Sequence, residues 1–339
     1  MKSKPYIECV QPGAAISGGE IVIRGKGFHK NGSGRPTVRF GDATGNLVVS
    51  SEKMLLVRVP EEALEDQVTV ETSKASSNTA GLLIGRRIAD NLHPVANPAV
   101  DAQGNVFVTF SGSRGQKVPV SIYKIDAEGN VHPFVSELMN ATGVAFDRNG
   151  NLYISSRYEG NVYKVTPEGE RTVYADGMGI ATGIAFDQDE NLYVGDRSGT
   201  IFKIDRNRKI FVFATLEASM AAYHLAFGID GSLFLTGPTT SSYDPIFRIT
   251  VNGEVSEFFR GLGRPQGLAF DREENIYVAA SLGGRRGIVR ISPDGHAELV
   301  ISGNGLVGLA FQKGPGTILA TTNAIYRLGW KVEGRPLLG

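Results

Sequence analysis

Tyr223 and His224 stand side by side in the stretch MAAYHLAFGIDGSLFLTG, Met220 to Gly237, and supply a hydroxyl next to an imidazole. An imidazole can take or give a proton near neutral pH, so the pair has the chemistry of an acid–base centre. The same slot elsewhere reads NATGVAFDRNGNLYIS, IATGIAFDQDENLYVG, RPQGLAFDREENIYVA and GLVGLAFQKGPGTILA, with glycine where this copy has His224. Two roles follow for His224. It is an acid or base with Tyr223 or Ser242 beside it, or it is a ring that fills a crowded axis and bonds a neighbouring carbonyl. Tyr223 is the partner of that histidine, or a packing aromatic with its hydroxyl satisfied.

A second chemistry is suggested by cations. Arg114, Arg157, Arg197, Arg285 and Arg286 fall in short polar segments after successive strands, with Asp196 and Asp244 as the main acids among them. Either Asp196 and Arg197 simply pair at a turn, or several arginines converge on a carboxylate or phosphate. Tyr243 belongs to the same segments. The remaining histidines, His29, His93, His132 and His296, read as solvated loop or strand-edge residues.

The elements that must position these groups recur with a long period. Val100, Phe146, Phe186, Phe227, Phe270 and Phe311 are separated by 46, 40, 41, 43 and 41 residues. Each is followed by a second short strand (NLYISS, NLYVGD, NIYVAA), then a third (NVYKVT, TIFKID, PIFRIT), then a weaker fourth. About 40 residues making four strands is the signature of a propeller blade, so six blades are expected over residues 85–339. The tail after AIYRLG lacks a good fourth strand, whereas GRRIADNLHPVANPAVD aligns with ERTVYADGMGIATGIAFD. Residues 85–92 therefore supply the outer strand of the last blade, which closes the ring and sets the preceding domain beside blade six.

Strand direction alternates within a blade, so each entry loop shares a face with the loop between strands two and three. Four residues before the anchors the ring reads Ala96, Thr142, Thr182, Tyr223, Gln266 and Val307. Three before, it reads Asn97, Gly143, Gly183, His224, Gly267 and Gly308. Thr142, Thr182, Gln266 and Asn97, with rim residues Arg157, Arg197, Asp196, Tyr243, Asp244 and Arg285, are the candidate ligand-binding set; His224 and Tyr223 are the candidate catalytic pair. A rival reading has the ring's polar residues lining a water-filled channel.

Residues 1–84 differ in texture. EIVIRGKGF, PTVRFG, LLVRVP and QVTVET alternate apolar and polar in short runs, as in an immunoglobulin-like β-sandwich. The text PYIECVQPGAAISGGEIVIRGKGF…VRFG resembles the IPT/TIG immunoglobulin-like domains over about residues 3–84, which implies a non-catalytic adhesion or spacer module. The blade text resembles NHL-repeat propellers and, less specifically, the gluconolactonase and strictosidine-synthase-like six-bladed propellers. In the gluconolactonases a divalent cation is held in the channel by Glu, Asn and Asp. The matching slots here are Ala96 or Asn97 and the ATG, ATG and PQG segments at 141–143, 181–183 and 265–267. A hard cation wants six to eight oxygens, carboxylates among them, so no metal or other cofactor is expected.

Composition bounds the rest. Lys plus Arg and Asp plus Glu are equal at 35 each, so no net field draws polyanions, and neither nucleic acid nor membrane insertion is expected. Cys9 is the only cysteine, which rules out an intrachain disulfide. The opening MKSKPYIECV is interrupted by Pro5 and Glu8 and is no secretory signal. As it stands the chain reads as a cytoplasmic monomer, and an extracellular one if a leader precedes it. The leading functional expectation is a module that binds a small molecule, peptide or glycan at the propeller face. The alternative is a metal-independent enzyme for lactone or ester hydrolysis or lyase chemistry, with His224 as acid or base.

Overall fold

The computed structural model describes residues 4–28, 34–241 and 243–335, and within them the chain is built from strands. His29 and Ser242, both named above, lie outside the described residues. No helix is long and apolar enough to cross a membrane.

The amino-terminal part is a sandwich. One sheet runs Tyr6–Gln11, Glu20–Lys26, Met54–Arg58, Asn46–Ser50, and the other Ala43–Thr44, Thr37–Phe40, Gln67–Glu71, Ala80–Gly81. The alternation read from the sequence selects the inner faces: Ile21, Ile23, Val38, Phe40, Leu55, Val57, Val68 and Val70 are all buried in one core. Cys9 lies half-buried in the first strand, as its type suggests.

Six further sheets follow among the described residues: four have four strands in chain order from inside to outside, one over residues 268–302 carries two additional short strands, and the last takes its outer strand from earlier in the chain. Blade one begins with Ala99–Val100, blade two with Ala141–Phe146, blade three with Ala181–Phe186, blade four with His224–Phe227, blade five with Leu268–Phe270 and blade six with Leu306–Phe311. These inner strands touch one another in succession, and that of blade six returns to that of blade one, so the sheets form a closed ring. The fourth strand of blade six is Arg86–Ala89, paired with Ile325–Leu328. The closing strand expected at 85–92 is therefore present.

The blades are held together by an aromatic relay. The aromatic of each second strand meets the anchor of the next blade edge to face: Phe107–Phe146, Tyr153–Phe186, Tyr193–Phe227, Phe234–Phe270 and Tyr277–Phe311. Centroid separations are 4.9 to 5.2 Å, the range in which such pairs add about 0.5–1.5 kcal/mol beyond burial. At the sixth interface Ile318 and Val100 do this with aliphatic packing.

The position of the sandwich departs from expectation in one respect. Ala14–Ala15 pairs in parallel with the outer strand of blade five, Ala297–Ser302, and Leu83–Ile84 pairs in parallel with Ala14–Ala15. Blade five thus continues into a six-stranded sheet that includes sandwich residues. The sandwich also lies against blade six, as expected: the Ser17 and Tyr326 hydroxyls are 2.9 Å apart, and Ile16 shares a core with Leu319 and Leu328. The two-residue strands have no periodic pattern of their own, so the sheet shared with blade five was not readable.

Candidate functional site

Side chains alternate along an inner strand, so positions one and three before each anchor share the face turned to the next blade, at the edge of the axis. The third-position ring is Asn97, Gly143, Gly183, His224, Gly267 and Gly308. The first-position ring is alanine throughout: Ala99, Ala145, Ala185, Ala226, Ala269 and Ala310. Those alanines, with the anchors, line an axial cavity of about 610 Å³. It lies within the roughly 300–1,000 Å³ typical of small-molecule sites. The alanine ring is plain in the sequence once the period is known, yet a search for reactive side chains passes over it.

At the entry end the ring is tight. A Cβ on Gly143 would stand 2.5 Å from the Thr182 carbonyl oxygen, and one on Gly183 2.2 Å from that of Tyr223. Neighbouring inner strands approach closely there. The cavity instead widens toward the opposite face, where Asp187, Gln188, Ile229, Arg272, Glu274 and Arg335 form its mouth. These residues come from the turns joining strands one and two and from the carboxy-terminal segment. The expectation that the ring and the rim loops share one pocket is therefore corrected: the rim arginines and the cavity are at opposite ends of the axis.

His224 occupies the inner part of this cavity. Its ring is 4% exposed, and its acidity is set by burial alone, with no hydrogen bond or charge to offset the loss of water. Burial disfavours the imidazolium and lowers the pKa to about 4, so the ring is neutral at pH 7. A neutral imidazole carries one N–H donor and one acceptor nitrogen, and both remain available. Asn97 sits at the same position in blade one, across the ring. Its amide donates to Leu268 O at 2.8 Å and accepts from Leu309 N at 3.1 Å, so it ties blades five and six to blade one.

The other candidates are placed as follows. Tyr223 is fully buried between blades three and four, and its hydroxyl donates to the Glu217 carbonyl, away from the cavity. Burial and nearby carboxylates raise its pKa to about 12. The Thr142 hydroxyl donates to Asn140 O at 3.0 Å and that of Thr182 to Gly195 O at 2.7 Å. Both threonines are thus spent on backbone. Gln266 is half-buried, and its carbonyl accepts from the Thr236 hydroxyl. Asp196 accepts from Ile180 N at 2.8 Å and Ser198 N at 3.2 Å; it is a turn acceptor and does not pair with Arg197. Asp244 accepts from Thr239 N and Oγ1 and has one buried oxygen without a partner. Tyr243 is exposed, its carbonyl accepting from Arg260. Arg285 points away from any ligand: it donates to Gln11 O at 3.2 Å and Glu20 O at 2.9 Å, clamping the sandwich to blade five. Among the described residues no three His, Cys, Asp or Glu side chains gather as a metal site would require.

The mouth is framed by the carboxy-terminal segment. Trp330 packs edge-on against Tyr277, Arg272 N donates to Glu333 O, and Arg335 N donates to Phe270 O. The Arg335 guanidinium then reaches blade four, donating to Phe227 O at 3.0 Å. A second hollow of about 750 Å³ adjoins the first and shares Val100, Phe146, Arg272, Phe311 and Arg335 as walls.

Residues 5–83 match the IPT/TIG domain model. No curated protein matches the chain. Among solved structures, a candidate gluconolactonase is 18% identical, covering 74% of this chain and 93% of its own, with a TM-score of 0.62. An auxiliary nutrient binding protein from Bacteroides thetaiotaomicron is 14% identical, covering 97% and 98%, with a TM-score of 0.57. A virginiamycin B lyase from Staphylococcus aureus is 14% identical, covering 87% and 99%, with a TM-score of 0.50. At these identities the likeness is one of fold: an all-β propeller, joined here to an immunoglobulin-like domain.

Proposed function

We propose that this protein binds a small, largely apolar molecule in the axial cavity, entering from the turn face and hydrogen-bonding to His224. One observation carries the reading. A neutral imidazole lines a cavity, and among the described residues no protein group hydrogen-bonds to its ring. A ligand offering one donor or acceptor at that depth can pair with it. The alanine ring gives such a ligand an apolar, close-fitting wall. Nutrient-binding proteins among the fold neighbours support a binding role, and a lyase and a candidate gluconolactonase among them keep hydrolysis or elimination as the second reading. For that second reading His224 is unprotonated at neutral pH, but a pKa of about 4 makes it a weak base. The reading is weakened further by Tyr223, whose hydroxyl is turned to a carbonyl.

The test is calorimetry with a panel of neutral cyclic compounds (lactones, hexoses, nucleosides) on the protein and on His224→Gly, which installs the residue of the sibling blades. A binder found for the wild type should lose about tenfold or more in affinity in the variant. Equal affinity in the two proteins, or no binder in a panel that includes apolar lactones, overturns the proposal. Product formation on mixing would establish the second reading.

A further inference from the structure

We infer that the entry face carries a separate oxyanion site formed by Arg114, Arg157 and Arg197 over blades one to three. The loops that carry the three arginines are tied together by hydrogen bonds, and none of the three lines the axial cavity. Asn140, fully buried, accepts from Gly115 N at 2.8 Å and donates to Gly112 O and Ser113 O at 2.7 and 2.9 Å. Its own carbonyl accepts from Arg157 N at 3.2 Å. One asparagine thus seats the loop that carries Arg114 beside Arg157. Gly115 reinforces this: it adopts a positive φ of 74°, and a Cβ there would be 2.9 Å from the Tyr158 ring. The next link is the segment 178–180. Met178 N donates to Gly160 O at 2.9 Å, Ile180 N to the Asp196 carboxylate at 2.8 Å, and Ile180 O accepts from Arg197 N at 3.1 Å. The hairpin tips bearing Arg157 and Arg197 are tied through it.

These cations lack acids. Among the described residues none of the three joins an ion pair; burial disfavours the Arg157 cation, and Arg197 and Arg114 lie near enough to disfavour it further. Asp196 is spent on Ile180 N and Ser198, and Glu159 accepts from the Tyr163 hydroxyl at 2.9 Å. Arg157 is half-buried as well. Three like charges fixed on rigid hairpins, one partly out of water, repel unless an anion joins them. Guanidinium forks match the geometry of a carboxylate or phosphate and bind it bidentately. The ligand class is therefore a compact, multiply charged oxyanion, free or at the end of a larger molecule.

The experiment is thermal unfolding of the full chain in phosphate, citrate and chloride at matched ionic strength. Phosphate, citrate or both should raise the midpoint above chloride, because an anion that binds only the folded form stabilises it by mass action. The anion that does so tells phosphate from carboxylate recognition. The rise should vanish in Arg157→Gln and require about tenfold more anion in Arg114→Gln, which lies in an exposed loop and leaves folding intact. It should persist in Arg286→Gln, on the same face at blade five. Identical midpoints in all three salts, or a rise that survives in both Arg157→Gln and Arg114→Gln, overturn the inference.

Discussion

His224 is costly to keep, and the cost has a pH signature. Burial lowers its pKa to about 4, whereas in the unfolded chain the ring titrates near the ordinary 6.5. Between these values the unfolded state binds the proton and the folded state does not, so stability falls as the pH drops from about 6.5 to 4. The full difference is roughly 3 kcal/mol, present in full above pH 6.5 and gone below pH 4. Urea midpoints of wild type and His224→Gly at pH 7 and pH 4.5 should diverge, the wild type losing more on acidification. Parallel losses would mean that the ring is protonated inside the fold or not truly dry. At this scale the sequence was informative about which residue is odd and uninformative about its surroundings. A histidine among glycines is visible in any alignment of the copies. That Arg285 serves another end was not visible. Arg285 is distinguished from Arg157 only by the sandwich carbonyls of Gln11 and Glu20, contributed by residues more than 260 positions away.

At the scale of the element, one short strand does three jobs with alternating positions. In Ala181–Phe186 the buried Ile184 packs between blades, Phe186 takes the relay contact with Tyr153, Gly183 lets the backbone of blade four approach, and Ala185 leaves room at the axis. Glycine and alanine are what allow a cavity to exist here, since six strands converge and any larger side chain at these positions occupies it. Ala226→Leu, one position before Phe227, adds three carbons at a cavity wall that also packs against the core containing Leu268 and Phe270. Binding of any cavity ligand should fall by about tenfold or more, while the melting midpoint should drop by no more than a few degrees, the cost of modest overpacking. A ligand that binds Ala226→Leu as well as wild type would have to sit elsewhere. The contrast is Phe186→Ala, which removes a relay ring and should lower stability by about 3 kcal/mol, measurable as a shift in urea midpoint. The relay was legible because aromatic anchors recur near every 40 residues. The alanine ring was equally legible but carries no reactive atom, and so drew no notice.

For the whole molecule the deciding feature is the shared sheet. Sandwich residues Ala14–Ala15 and Leu83–Ile84 extend blade five, Ile16 is buried in a core that includes Tyr277, Ile301 and Leu319, and Arg285 clamps two sandwich carbonyls. The chain then passes through Gly85 directly into the strand that closes blade six. The sandwich and ring are thus joined by backbone hydrogen bonds, a buried core and a covalent link with almost no slack. Such coupling predicts one cooperative unfolding transition for both parts. The joint has an identifiable weak point in Gly19, where a Cβ would stand 2.4 Å from Ser302 O and 2.9 Å from Ile16 O, backbone on both sides. Neither neighbour can move without breaking the parallel pairing of Ala15 with Ser302. Gly19→Ala should therefore part the sandwich from blade five, and the single calorimetric transition should resolve into two, the sandwich melting first because its own core is small. The ring should keep its midpoint within a few degrees, since its closure through Arg86–Ala89 is intact. A single transition in the variant, shifted as a whole, would show that the two parts are coupled mainly through the Ile16 core, so that the strand addition is a consequence of their contact and not its cause.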